Sequence, residues 1–170
     1  MNLNGKWKLP VGVLTISSAF FAGLIKYEGY SKEPYRDVVG VPTIGIGSTK
    51  YPNGSRVSMT DKPVSKSEAI SIVKSHVSKD EKAFKESVAG VYLHQDEYDV
   101  YMDFVYNFGL GNWRKSGMRR ELIAGNHIGA CKALLRYKYA GGRDCSIRAN
   151  HCIGVWRRQL ERYNKCMSVN

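Results

Sequence analysis

Three residues in one stretch of this sequence have the types and spacing to break a bond between sugars: Glu28, Asp37 and Thr43. Such a hydrolysis needs a protonated acid beside the leaving oxygen. It also needs a second group that activates water or stabilises the oxocarbenium-like transition state. Asp37 follows Glu28 by nine residues across a Pro-containing segment, and Thr43 follows Asp37 by six. A helix ending near Glu28, with a strand or turn carrying Asp37 and Thr43, would turn all three toward one cleft. Spacing by itself does not select this chemistry. A Glu and an Asp nine apart are common as solvated surface carboxylates, and Thr43 alone reads as an ordinary β-branched strand residue.

The elements that must position these residues are legible on either side. Residues 10–25, from Pro10 to Ile25, form an uncharged run. The stretch Tyr27–Asn53 is rich in Gly, Pro and aromatic residues. Its short apolar pieces Val38-Val39 and Ile44-Gly45-Ile46 predict a small sheet, and Asn53-Gly54 supplies a turn. Ser65 and Glu68 have capping-box spacing, and Ala69, Ile70, Val73 and Val77 follow at helical intervals, so a long helix is expected over 65–86. Tyr98, Tyr101, Met102, Val105 and Tyr106 predict a helix from Gln95 to Phe108, ended by Gly109-Leu110-Gly111. Further helices are expected near 117–125, 127–138 and 153–165. The fold class is therefore α+β: a small β-containing lobe near 30–58, a larger α-helical lobe, and a cleft between them suited to a polymer.

At 170 residues and 43% hydrophobic, the chain suits one domain, or one domain of two lobes, with a sizeable core. It has neither internal repeats nor a low-complexity linker. Its formal charge is +11, concentrated late: residues 114–165 hold thirteen Lys/Arg against three acids, whereas 61–113 hold six against nine. Such a field attracts nucleic acid, anionic lipid or an acidic bacterial wall. No RNA-binding aromatic motif and no zinc-finger spacing is present, so no nucleic-acid partner is expected. Cys131, Cys145, Cys152 and Cys166 all lie in the last forty residues. An even count in one patch suggests two disulfides and an oxidising compartment, with three pairings open. Buried free thiols, or a zinc site at Cys145, His151 and Cys152, are the alternatives; the latter lacks C-x2-C spacing.

The apolar run is flanked by Lys6, Lys8 and Lys26. As a helix its sixteen residues would span about 24 Å, short of the roughly 30 Å hydrocarbon core. Gly12, Thr15, Ser17, Ser18, Ala19, Ala22 and Gly23 make it only weakly apolar. It reads as a signal-peptide core with a basic leader or a marginal membrane anchor, against a buried first helix of a soluble enzyme.

The stretch Glu28-Gly29, Tyr35-Arg36-Asp37 and Gly40-Val41-Pro42-Thr43-Ile44-Gly45-Ile46-Gly47 resembles glycoside hydrolase family 24, the phage lysozymes of T-even and P-type phages. The resemblance continues through Phe104-Val105-Tyr106-Asn107-Phe108-Gly109-Leu110-Gly111-Asn112 and Val155-Trp156-Arg157-Arg158-Gln159-Leu160-Glu161, and so covers the chain from about residue 17 onward. Ser48 departs from it, where the family often has His before the Thr. The resemblance implies a lysozyme-like fold and a muramidase cutting between N-acetylmuramic acid and N-acetylglucosamine. Glu28 would be the general acid, Asp37 the group that stabilises positive charge or activates water, and Thr43 the residue that positions the water. Phe104 and Asn107 are candidates for the sugar-binding surface, with the protein core as an equal alternative for Phe104. Arg157 or Arg158 is a candidate support for Glu28, with a solvated helix face as the alternative. No metal or organic cofactor is implied, and a monomer is expected.

The block Gly141–Cys152 is similar to a subgroup of exported endolysins of the signal-arrest-release type. That similarity implies residues 1–25 as a basic leader and releasable segment ahead of a catalytic domain over 26–170. The protein would be tethered inactive in the host inner membrane and then freed into the periplasm, with the host cytoplasm as the alternative location. The expected disulfides are Cys145–Cys152, closing a short loop, and Cys131–Cys166, joining the last two helices. The rival functions are a lytic transglycosylase, against which Asp37 and Thr43 argue, and a non-catalytic cationic protein that binds walls or disrupts membranes.

Overall fold

In a computed structural model, residues 7–37 and 40–170 are described; the expected Val38-Val39 piece and Lys6 lie outside them. The fold is α+β, with six α-helices and three short antiparallel strand pairs among the described residues. The chain forms two compact units. One is Ser17–Lys82; the other combines the residues up to Ile16 with Ala83–Asn170.

The Ser17–Lys82 unit opens with α1 (Ser18–Glu28). Ser17 caps it, its Oγ accepting from the Ala19 N–H at 3.1 Å. Phe20, Phe21 and Leu24 are its buried face. The helix stops because Gly29 adopts φ 78 and ψ −178, a region essentially reserved for glycine, while its N–H closes the last turn on the Ile25 carbonyl. Strands β2 (Ser31–Arg36) and β3 (Pro42–Gly45) then pair antiparallel, with Tyr35 opposite Thr43 and a bulge between Ser31 and Tyr35. The Asn53-Gly54 turn forms as read, the Gly54 N–H donating to Tyr51 O at φ 87. Helix α2 (Lys66–Ser87) starts at the expected capping box. The Glu68 N–H donates to Ser65 Oγ, and Glu68 Oε2 accepts from the Ser65 N–H at 2.7 Å. Its buried stripe is Ala69, Ile72, Val73 and Val77, so Ile72 takes the place expected for Ile70.

In the other unit, β4 (Tyr92–Leu93) leads into α3 (Gln95–Lys115). Gly109 breaks the helical geometry where the sequence places the break (φ 80, ψ 156), but the chain winds on to Lys115. The extra turn carries Trp113, wholly buried against Phe84 and Tyr101, with its indole N–H donating to Ser87 Oγ at 2.8 Å. That burial outweighs the poor helix propensity of Gly111. Helix α4 (Gly117–Ile123) is capped by Ser116 and α5 (His127–Ala133) by Asn126. Both end before the expected limits, α4 ahead of left-handed Gly125 and α5 in a 3-10 turn over Leu134–Arg136. A hairpin of β5 (Tyr139–Ala140) and β6 (Arg143–Asp144) precedes α6 (Ile153–Met167). Hydrogen bonds from Lys138 and Ser146 hold the Asp144 carboxyl down at about 2.

The disulfides are Cys131–Cys166 and Cys145–Cys152, the expected pairing. None of the four cysteines is free, which removes the thiol and zinc alternatives.

The apolar run forms no single helix. Strand β1 (Leu9–Pro10) pairs with β4, Val11–Val13 makes a 3-10 turn, and α1 begins only at Ser18. Pro10 cannot donate a helical hydrogen bond, and Ser17 starts a new helix by capping it. Val11 and Leu14 are buried, the Val11 N–H donates to Val91 O, and Gln95 Nε2 donates to Thr15 O at 2.8 Å. Among the described residues, no helix is long and apolar enough to cross a membrane. Lys8 reaches Asn170 Oδ1 at 2.7 Å and the wholly buried Glu97 at 3.5 Å. Burial opposes the charge on Glu97. Hydrogen bonds from His127 Nδ1 (2.8 Å), the His94 N–H and Asn170 Nδ2 outweigh it and hold the carboxyl below its ordinary range.

Candidate active site

Glu28, Asp37 and Thr43 all belong to the Ser17–Lys82 unit, and each sits in or beside the boundary of an element. Glu28 is the last residue of α1, exposed, immediately before the glycine that turns the chain. Asp37 follows the last residue of β2. Its N–H donates to Val41 O at 3.0 Å, and its Oδ1 accepts from the Val41 N–H at 2.9 Å. The Gly40 N–H closes on Asp37 O, and Arg36 Nη1 donates to Gly40 O at 2.8 Å. The hairpin tip is thus held by the side chain of Asp37 as well as by backbone bonds.

Thr43 is on β3, only 2% exposed, and its Oγ1 donates to Val41 O at 3.0 Å. A hydroxyl that spends its proton on a carbonyl retains two lone pairs and can accept a hydrogen bond from water. The following residues hold the strand: Ile44 and Ile46 are fully buried, and Ile44 exchanges both backbone bonds with Ser48. Gly45 faces α2 so closely that a Cβ on it would lie 2.9 Å from Ala69 Cβ. Tyr30 and Lys32 attach this hairpin to the loop ahead of α2, through Tyr30 Oη to Val64 O at 2.6 Å and the Val64 N–H to Lys32 O at 2.9 Å.

The other candidate residues lie in the second unit. Phe104 is fully buried, stacked on Phe108 at 4.7 Å and edge-on to Tyr137 at 4.6 Å, so its ring is part of the helical core. Asn107 is exposed and donates to both the backbone and the side chain of Asp103, one helical turn earlier. Arg157 is exposed. Arg158 Nη2 meets Asp103 Oδ1 at 2.9 Å and Arg162 Nε meets Asp103 Oδ2 at 2.5 Å. Sequence reasoning missed Asp103 and Arg162 as the organisers of this cluster. The spacing puts Asp103 and Asn107 on one helix face and Arg158 and Arg162 on another, but it does not pair the two helices. Sequence reasoning also missed Tyr30 and Val41, the latter because its contribution is entirely backbone.

The model of the family described as phage lysozyme matches residues 25–164. An SAR-endolysin of Enterobacteria phage PA-2 is 31% identical over 136 residues, covering 78% of this chain and 79% of its own. The endolysin of Salmonella phage P22 is 30% identical over 129 residues, covering 76% and 87%. Among solved structures, a P22 lysozyme mutant superposes with a TM-score of 0.76 at 26% identity, over 91% of this chain and 99% of that one.

Proposed function

The chain belongs to the phage lysozyme family and is a muramidase-type endolysin; from that premise we propose that Glu28, Asp37 and Thr43 carry out its chemistry on the β-1,4 bond between N-acetylmuramic acid and N-acetylglucosamine. Glu28 gives its proton to the departing oxygen. Thr43 Oγ1, its own proton directed to Val41 O, accepts a hydrogen bond from the attacking water. Asp37 takes the second water proton or faces the developing positive charge. The observation that carries this reading is the hairpin holding Asp37 and Thr43 to the same residue, Val41. Asn107, whose side-chain amide is held by Asp103, is proposed to bind the sugar chain.

The test is mass analysis of muropeptides released from purified wall. Replacing Glu28 by Gln keeps the shape and removes the transferable proton, so release should fall by about 10²–10⁴-fold. Retained hydrolysis would end the assignment.

Residues 10–25 are proposed to sit first in the host inner membrane and later to leave it for the periplasm. The relatives named SAR-endolysin and the Gly, Ser, Thr and Ala content of the segment support this. The segment's contacts with Val91, Tyr92, Leu93 and Gln95 are then those of the released form.

A further inference from the structure

Glu28 is followed by the most permissive kind of backbone. Gly29 stands at φ 78 and ψ −178 with its N–H bonded to Ile25 O, and this turn sets the direction in which the chain leaves α1. A proton donor that must stay within a fraction of an ångström of a glycosidic oxygen gains from having the chain on the far side of that turn held to the same hairpin as the water site. The first side chain past the turn is Tyr30. Its hydroxyl donates to Val64 O at 2.6 Å, a bond between residues 34 positions apart.

Val64 is itself 8% exposed, and its N–H returns to Lys32 O at 2.9 Å, so one residue is gripped from both sides of Ser31. Ser31 pairs with Gly45 on the strand that carries Thr43. A Cβ built on Gly45 would meet both Ala69 and Val64, which places Val64 in contact range of that strand. Tyr30 therefore closes a loop of contacts running from the end of α1, through Val64, to the strand of the water-holding threonine.

We infer that Tyr30 is a positioning residue for the reaction, fixing the Glu28 carboxyl relative to Thr43 through its bond to the Val64 carbonyl; this rests on the reading of Glu28 as the acid. The ring does not touch the reacting atoms. It acts by holding the chain that leaves Gly29 against the loop ahead of α2, so that the turn at Gly29 relates α1 to the Thr43 strand.

The experiment compares wild type, Tyr30→Phe, Glu28→Gln and the double variant on two substrates. One is the natural wall glycan; the other is a nitrophenyl glycoside of the same sugars, whose leaving phenolate needs little protonation. Phenylalanine keeps the ring, and assays well below the unfolding midpoint of each variant separate activity from stability. With misplaced acid, Tyr30→Phe should lose about tenfold in kcat on the glycan, with KM unchanged and the nitrophenyl rate within about twofold. In the Glu28→Gln background the same change should have no further effect on the glycan. Equal losses on both substrates, a change in KM alone, or wild-type kcat on the glycan would each overturn the role of Tyr30. If Glu28→Gln itself still hydrolyses the glycan, the reading of the acid fails instead, a result that no Tyr30 phenotype can imitate.

Discussion

Asp37 and Thr43 are joined through one residue: Val41 gives its N–H to Asp37 Oδ1 and its carbonyl oxygen receives both the Asp37 N–H and the Thr43 hydroxyl. Neither side chain can turn without breaking a bond that helps to hold the other. Under the proposed function, the hairpin tip would offer a water molecule two acceptors, with the Thr43 proton directed away from it to Val41 O.

If that tip holds the nucleophile, Thr43→Val, which keeps the shape and deletes the oxygen, should cost about 10²-fold in kcat. Thr43→Ser should retain most activity, because the acceptor survives. The first-formed product should carry the inverted anomer, as expected for water attacking opposite the acid. Nuclear magnetic resonance of early product reads the anomer; retained configuration, or an anhydro end, would exclude this use of Thr43.

A stability prediction concerns Gly45, with φ 66 and Ala69 Cβ 2.9 Å from where its own Cβ would be. Gly45→Ala should destabilise by about 2–4 kcal/mol, from overpacking and from left-handed strain. Adding Ala69→Gly relieves only the first and introduces a helical glycine, so it should restore part of the loss at most. Urea unfolding of the three proteins measures this; a Gly45→Ala protein as stable as wild type would show that the two elements can separate freely.

Much of this site could be read from residue order. The Ser65–Glu68 capping box, the helix end at Glu28-Gly29 and the Asn53-Gly54 turn are local, and local hydrogen bonding decides them. Three things could not be read in that way. The turn beyond Gly109 exists because Trp113 finds a buried place beside Phe84, 29 residues earlier in the chain. Arg158 turns to Asp103, 55 residues away, and Lys8 to Asn170, 162 away. Partners at such distances leave no periodicity, so only the folded chain pairs them. The apolar run misleads for a related reason: its hydropathy suits a helix, while Pro10 and the Ser17 cap divide it into a strand, a 3-10 turn and α1.

Acid should loosen the unit that contains Glu97. Its carboxyl is held below the usual glutamate range when folded, so its contribution is complete above the unfolded value and is lost as pH falls through the folded one. Wild type should therefore lose stability on acidification below about pH 4.5. Glu97→Gln should cost about 3 kcal/mol at neutral pH, by stranding its buried partners, and should have a shallower acid dependence. Some slope should remain toward pH 2, because Asp144 titrates at about 2. Urea midpoints across pH 2–7 would show it; parallel curves for the two proteins would refute the role of Glu97.

The membrane-release proposal has its own test. A Cβ added at Gly12 would meet no atom within 4 Å, and Ser18 is exposed, so both sites have room in the folded protein. Gly12→Leu with Ser18→Leu should therefore fold, while each leucine favours bilayer insertion by about half a kcal/mol. Cell fractionation should find this variant in the membrane for longer than wild type, with delayed lysis. Finding both proteins only in the cytoplasm would leave the segment as an ordinary part of the enzyme.

Cys166 emerges from the ribosome 35 residues after its partner Cys131. No covalent link between α5 and α6 can exist until Cys166 has been synthesised and has met an oxidant. Closing a loop of that length restricts the unfolded chain by about 4 kcal/mol, a large share of the stability of a small domain. One amino-acid sequence therefore has two durabilities: thiol-bearing and easily unravelled where electrons are plentiful, cross-linked and long-lived where they are scarce.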